Sequence, residues 1–440
     1  MAVTGRLALL VALGALVVGL GVPSLLGVLL VSGTLALVAV LDALAAVPVG
    51  SLHLDREQDP DRVTTLRLGT SLEVALRVAN PGRRRATLVL RDAWEPSAGA
   101  LPARHRLVVP AGERRRVATT LTPTRRGDRD AVRVTVRSLG PLGLAARQGG
   151  RTVPARVRVL PPFGSRRHLP SRLARMREFD GRRAIQVRGQ GTEFDSLREY
   201  VAGDDVRSID WRASARSPEL VVRTWRPERD RHVLVVLDTG RSSAGRVGAR
   251  AGSDGPRLDA ALDTALLLAA LASRGGDRVD LLALDREVRA SVLGATAGDL
   301  LPALVTAMAP LEPRLVETDM RLLAASVLAR AGQRSLVVLV TGLDEAAVTE
   351  GLDPVLGSLL RRHTVLLAAV DDPELATMAA GRGDAEAVYT AAAAETARAA
   401  RRRTAERLAR RGVEVVDAGP EELPPAVADR YLALKAAGRL

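Results

Sequence analysis

The chain is 440 residues long with a formal net charge of +14, and its cations are almost all arginine, since Lys435 is the only lysine. Cysteine is absent, which excludes a disulfide framework and thiolate metal sites, and one late lysine excludes a phosphate loop of the G-x-x-x-x-G-K-[ST] type. Aromatic residues make up 2% of the chain and are not interleaved with the basic ones, so no nucleic-acid partner is expected and runs such as Arg83 to Arg85 read as solvated faces.

No charged residue occurs from Leu7 to Leu41. As one helix this stretch would measure ~52 Å, too long for a single ~30 Å hydrocarbon core. Gly21-Val22-Pro23-Ser24 breaks it, because proline disfavours helix in the residue before it. Two spans, about 7–22 and 24–47, therefore predict a transmembrane helical hairpin within residues 1–50, with Asp42 reaching the interface. A signal peptide is the rival reading, with Arg6 as its basic region and Ala43-Leu44-Ala45 as its cleavage site, but the apolar run is far longer than an h-region. Two spans return the chain to its starting side, and Arg56, Arg62, Arg67 and Arg83 to Arg85 place that side in the cytoplasm. The expectation is a multi-pass protein of the cell membrane whose soluble part is cytoplasmic.

Residues 51–160 read as a β-sandwich-like domain. The runs 72–78 (LEVALRV), 86–90, 105–109, 115–121 and 131–136 alternate in part with period two. Asn80-Pro81-Gly82, Pro110-Ala111-Gly112, Arg126-Gly127-Asp128 and Gly140-Pro141 supply the turns between them. No catalytic constellation falls here, which suits a structural or docking module.

Pro161-Pro162-Phe163-Gly164 marks a linker, and 164–188 is basic without apolar periodicity, so it is expected to wrap a surface. The linker region, 161–231, also holds the chain's most unusual stretch, 189–216. There Glu193, Asp195, Glu199, Asp204, Asp205 and Asp210 alternate with Arg198, Arg207, Arg212 and Arg216, and Phe194, Tyr200 and Trp211 fall among them. Arginine–carboxylate forks are directional, so this mixture suits a hydrogen-bonded network that fixes neighbouring segments. A salt-bridged surface segment is the plainer alternative.

From 232 to 440 the pattern is α/β. Apolar runs at 232–237, 279–284, 335–340, 364–370 and 413–416 alternate with helical stretches at 258–273, 300–309, 320–331 and 391–411. This predicts βαβ units and a doubly wound sheet, whose ligands sit at the carboxyl ends of strands, next to Asp238. His53, His105, His168, His232 and His363 are scattered, with none at metal-ligand spacing from another, and His232 reads as a packed strand-end residue. Asp204-Asp205 has the residue types of a cation or acid–base pair, but adjacent acids more often cap a helix or pair with arginine.

Taken in order, Arg198-Glu199-Tyr200, Gly203-Asp204-Asp205, Arg207, Ile209-Asp210-Trp211 and Ser214-Ala215-Arg216 resemble the signature of the bacterial family called domain of unknown function 58. Arg125-Arg126-Gly127, Gly140-Pro141-Leu142-Gly143-Leu144 and Tyr431-Leu432-Ala433-Leu434-Lys435 resemble further pieces of that family. Asp238-Thr239-Gly240-Arg241-Ser242 resembles the Asp-x-Ser-x-Ser loop of von Willebrand factor type A domains, which holds a divalent cation with oxygen ligands only. That resemblance implies Asp238, Ser242 and Thr318 as metal ligands. This chain departs from it in having Gly240 for a serine and Gly342 for an aspartate, and Arg241 would bring positive charge into the gap. Mg2+ at this degenerate site is the one cofactor the sequence suggests.

The expectation is a multidomain protein with a membrane hairpin, a β-sandwich-like domain and a von Willebrand factor A-like α/β domain. The family resemblance implies a non-enzymatic adaptor that works with a MoxR-type AAA+ ATPase in assembly or maturation of protein complexes. Its interaction motif would be Arg198, Glu199, Tyr200, Gly203, Asp204, Asp205, Arg207, Asp210, Trp211, Ser214 and Arg216. The alternative is a metal-dependent hydrolase using Asp204, Asp205 or Asp238. A third reading is a scaffold that only tethers neighbours at the membrane.

Overall fold

The apolar N-terminus forms strand β1 (Ala2–Val3), helix α1 (Gly5–Gly21) and helix α2 (Leu25–Ala45) in the computed structural model. The structure describes every residue except 1, 22, 58–62, 187–192, 202, 203, 205, 227–230, 248–254 and 333, and no side chain in 179–186, 193–196 or 224–226. It divides the chain into residues 1–162 and 163–440, so the apolar helices fall with the β domain and the basic segment with the α/β domain.

In the first unit Ser24 caps α2 by accepting the Gly27 amide, and α1 packs so closely on α2 that a Cβ at Gly14 would lie 2.8 Å from Val31. Helix α1 buries none of its residues, and α2 buries only Ala39, Asp42 and Ala43. The segment Leu25–Ser51 is long and apolar enough to cross a membrane. At 17 residues α1 covers only ~25 Å.

Asp42 is 3% exposed and is held inside the protein. Its carboxylate accepts the amides of Leu142 (2.7 Å), Leu144 (2.8 Å) and Ala145 (3.0 Å). Burying a carboxylate is costly unless donors replace water, and three amides do so here. The Gly140-to-Leu144 run has a physical reason in this contact, because a Cβ at Gly140 would collide with the Asp42 carboxyl.

The strands that follow are β2 (His53–Arg56), β3 (Thr64–Arg67), β4 (Leu72–Ala79), β5 (Ala86–Trp94), β6 (Ala100–Leu101), β7 (His105–Val109), β8 (Arg114–Leu121), β9 (Gly127–Leu139), β10 (Ala145–Arg151) and β11 (Arg156–Leu160). One sheet runs β1-β10-β9-β11-β3, with β5 pairing both β9 and β7, and a second runs β2-β4-β8-β6. Leu76 and Val78 of β4 meet Leu88 and Leu90 of β5 and Val134 and Val136 of β9, so the two sheets share a core. The Arg56–Asp92 ion pair (2.7 Å) joins strands of the two sheets, and Trp94 Nε1 donates to the same carboxylate (3.1 Å).

The second unit begins with helix α3 (Leu169–Gln186), where the sequence reading placed a segment without a core. Leu169, Leu173 and Met176 stand at i, i+4 and i+7 and join the main core cluster, a stripe hidden among arginines. Arg172 and Arg175 both pair with Asp429 (2.8 and 3.0 Å). Next come β12 (Glu193–Glu199), the short helix α4 (Trp211–Ser214) and β13 (Val221–Arg226).

The α/β core follows as β14 (His232–Asp238), the small pair β15 (Arg246–Val247) and β16 (Gly255–Pro256), α5 (Arg257–Arg274), β17 (Arg278–Leu284), β18 (Val288–Val292), α6 (Leu300–Met308) and α7 (Met320–Arg330). It ends with β19 (Ser335–Val340), α8 (Asp353–Leu360), β20 (Thr364–Val370), α9 (Pro373–Ala379), α10 (Ala385–Arg410), β21 (Glu414–Ala418) and α11 (Leu423–Ala436). The sheet order is β18-β17-β14-β19-β20-β21, with only edge strand β18 antiparallel. Val233, Val235 and Leu237 pack toward α5 and α11, while Leu234 and Val236 pack toward α7 and α8. Both faces are covered, as a doubly wound sheet requires, and strand order reverses between β14 and β19.

The only lysine locks the last helix in place. Lys435 Nζ donates to Asp277 (2.8 Å) and to Gly275 O (3.0 Å), and Tyr431 donates to Asp277 (2.5 Å). Burial raises the Asp277 carboxyl above its ordinary range, against the pull of Lys435 and Tyr431. Replacing Lys435 by Met strands a buried carboxylate. Urea unfolding of the second unit should show a loss of about 3–5 kcal/mol.

Candidate functional site

Strand β14 delivers Asp238 to the carboxyl edge of the sheet at the reversal of strand order, where it is 1% exposed. Its Oδ1 accepts the Gly240 amide (2.8 Å) and the Thr318 hydroxyl. Its Oδ2 accepts the hydroxyls of Ser242 (2.5 Å) and Thr341 (2.5 Å). Three hydroxyls from three loops thus converge on one carboxylate. Asp238, Ser242 and Thr318 are brought together as the sequence suggested, while Thr341, directly after β19, was missed.

Gly240 follows from this packing, because a Cβ there would collide with the Thr318 hydroxyl and lie 2.8 Å from Val316 O. Gly342 lies under Asp344, whose Oδ2 would be 2.8 Å from a Cβ at that position. Arg241 turns away and pairs with Glu317 at the surface (3.0 Å). Arg257 lines a cavity of about 10 Å3 together with Asp238, Ser242, Thr341 and Gly342, about the least space that admits one water.

The donor set contains oxygens only, as a hard cation requires. It carries one negative charge, however, and its hydroxyls spend their hydrogens on that carboxylate. Among the described residues no group of three or more acids or histidines could hold a metal ion. The arrangement fits a hydrogen-bonded knot between loops better than it fits Mg2+.

The signature segment lies on the β12–β13 hairpin, where Leu197 pairs with Arg223 and Glu199 with Val221. Arg198 donates to Asp204 Oδ1 (2.5 Å), and Asp204 Oδ2 accepts the Val201 amide (3.0 Å). Asp210 caps α4 by accepting the Arg212 and Ala213 amides (both 3.0 Å), and it accepts Arg223 Nε (2.7 Å). The Ala213 amide, with Arg223, holds the Asp210 carboxyl below the usual range. Ser214 Oγ accepts the Val221 amide (2.9 Å), and Tyr200 donates its amide to Leu220 O (2.8 Å). This frame leaves Trp211 67% exposed. Glu199, Arg207 and Arg216 are also exposed, while Gly203 and Asp205 lie outside the described residues. Arg223, the partner of Asp210, went unnoticed in the sequence because it falls beyond the motif.

A family model described as protein of unknown function DUF58 matches residues 196–424, from inside β12 into α11 and over more than half of the chain. The chain belongs to the DUF58 family. None of the curated proteins compared with it matches. Among solved structures, the ASH/PapD-like domain of human CEP192 (PapD-like domain 7) is similar at 12% identity and TM-score 0.17, over 25% of this chain and 84% of that one. WR4, a C. elegans MSP family member, is similar at 9% identity and TM-score 0.18, over 25% of this chain and 97% of that one. At these scores neither likeness carries an argument.

The histidines of this DUF58 chain are more connected than their spacing suggested. His232 Nε2 lies 2.9 Å from Asp280 and Nδ1 lies 2.9 Å from Ser335 Oγ, joining β14, β17 and β19 at their starts. Burial raises the Asp280 carboxyl, but His232, the Gly294 amide and Arg278 outweigh it and lower it overall. Ser335 is 1% exposed, and this serine, histidine and aspartate pin the starts of three strands. His363 is 3% exposed and neither ring nitrogen has a partner among the described residues.

Two outcomes follow. Titration calorimetry with Mg2+ should give no saturable binding tighter than about 1 mM; tight binding lost in Asp238→Ala would contradict the knot. Burial, with Arg362 and His232, lowers the His363 pKa below its ordinary 6.5. The unfolded chain therefore binds a proton there that the folded chain refuses. Stability should fall as pH drops below about 6.5, by at most ~1.4 kcal/mol per pH unit from this group, and His363→Leu should flatten that slope.

Proposed function

We propose that this chain is a membrane-anchored, non-enzymatic adaptor that docks other proteins through the β12–β13 hairpin, with a MoxR-type AAA+ ATPase as the partner its family resemblance suggests. The observation that carries the reading is Trp211, 67% exposed on a helix fixed by the Asp210 cap and the Asp210–Arg223 pair. A large exposed aromatic on a capped helix is the kind of residue that anchors a binding hot spot. Leu197, Val201, Val206 and Leu220 are exposed on the same segment, and Arg207, Arg212 and Arg216 are exposed near them. That combination suits a partner surface with an apolar pocket and an acidic rim.

The second unit is read as von Willebrand factor A-like. Its support is the sheet order, the antiparallel edge strand and the Asp238-to-Ser242 loop at the reversal of strand order. The helices α1 and α2 are read as a hairpin in the cell membrane, with the soluble part cytoplasmic. Its support is that Thr4, just before α1, and Asp42, near the end of α2, bind the same 140–145 loop, while apolar side chains of both helices are exposed. Of the acids a hydrolase would use, Asp204 is bound to Arg198 and Asp238 has four donors, while Asp205 lies outside the described residues.

Co-purification from detergent-solubilised cells tests the adaptor reading. Trp211→Ala should weaken capture of the partners held by the unaltered chain about thirtyfold, the scale of a 2 kcal/mol hot spot. Equal recovery by both proteins would reject the docking surface.

A further inference from the structure

Four arginines surround the root of the apolar helices in the first unit. Arg147 donates to Ala43 O (2.9 Å) and Leu44 O (3.3 Å), and Arg84 donates to Ala45 O (3.1 Å). Arg151 donates to Gly50 O (2.6 Å). Arg6, in the first turn of α1, donates to Leu142 O (3.4 Å), from the residue whose amide binds Asp42. The carbonyls at 43–45 form the negative end of the α2 dipole, which holds Arg147 and Arg84 in place.

These guanidinium groups have donors to spare. Each carries five N–H groups and commits one or two to a carbonyl. Among the described residues none of the four forms an ion pair with a carboxylate. The nearby acid, Asp42, is enclosed by three amides and is not available to them. Arg6 and Arg84 are exposed, and Arg147 and Arg151 are half-buried. Val3, next to Thr4, is 71% exposed, and Leu142 is 56% exposed although its backbone binds Asp42 and Arg6. Planar cationic forks next to apolar tips match the polar–apolar boundary of a bilayer, where phosphates lie just outside acyl chains.

We propose that this arginine rim binds the phosphate of anionic phospholipids while Val3 and Leu142 enter the acyl boundary. Lipid binding then sets the depth at which the β domain rests on the leaflet. The proposal rests on the reading of α1 and α2 as membrane-embedded. It commits to lipid over free phosphate because the apolar tips offer an inorganic ion nothing.

The test is native mass spectrometry of the full chain in non-ionic detergent with phosphatidylglycerol or phosphatidylcholine added. Phosphatidylglycerol should be retained about tenfold better, with the preference falling as salt rises through the range that screens exposed charge. Combined Arg6→Gln, Arg84→Gln and Arg147→Gln should abolish the preference, and Lys at the same positions should keep part of it. Equal retention of the two lipids, indifference to salt, or displacement by equimolar inorganic phosphate would overturn the proposal. If the Gln variant does not fold, the lipid preference and salt dependence of the unaltered chain still decide it. Alkaline carbonate extraction separates the two claims. Release from membranes refutes the embedded helices, whereas retention without lipid preference refutes the rim.

Discussion

A carboxylate taken out of water must be met by donors, and in this chain the donors come from far along the sequence. Asp42 draws amides from a loop about a hundred residues later, Asp238 draws Thr318 and Thr341, and Asp277 draws Tyr431 and Lys435. Asp92 is met by Arg56 and Trp94. Each buried acid fixes segments that hydrophobic packing alone would leave free to slide, because an unsatisfied charge penalises every other register. The closely packed glycines fit the same constraint. Gly140 and Gly240 stand where a side chain would displace a donor or an acceptor.

The elements buried on both faces were the most legible. Strands β19 and β20 are continuous apolar runs, and their ends matched the expected 335–340 and 364–370. The short strand β18, with a half-exposed VRASV pattern, gave no such signal because its order depends on pairing with β17. Strand β10, AARQGGR, is likewise ordered by β9 and by β1. Helix α3 was lost for a different reason. The stripe that reaches the core is only Leu169, Leu173 and Met176, and long arginine side chains dominate the composition although Arg172 and Arg175 pair with Asp429 of α11.

At the candidate site, local motifs were readable and their partners were not. Asp238 and Ser242 sit four residues apart, within reach of a short loop pattern, and Thr318 was recovered only through the resemblance. Thr341 and Arg257 enter through topology, which no local spacing encodes. Thr341 changes the chemistry by completing the hydroxyl shell, and Arg257 lines the small cavity beside it. In the hairpin, Asp204 and Asp210 each pair with an arginine and also fasten local backbone, Asp204 closing a turn and Asp210 capping a helix. With Asp210 capping its helix, Trp211 is left 67% exposed, a property of orientation that composition cannot express.

Docking by that tryptophan is the claim on which the functional reading stands. Incorporating a photo-reactive benzoylphenylalanine at position 211 of the full chain in living cells tests it most directly, with position 389, where Tyr389 is 76% exposed, as the control. Illumination should yield a discrete covalent adduct to another polypeptide from position 211 and none from 389. Equal labelling from both positions, or none from 211, would contradict the docking surface.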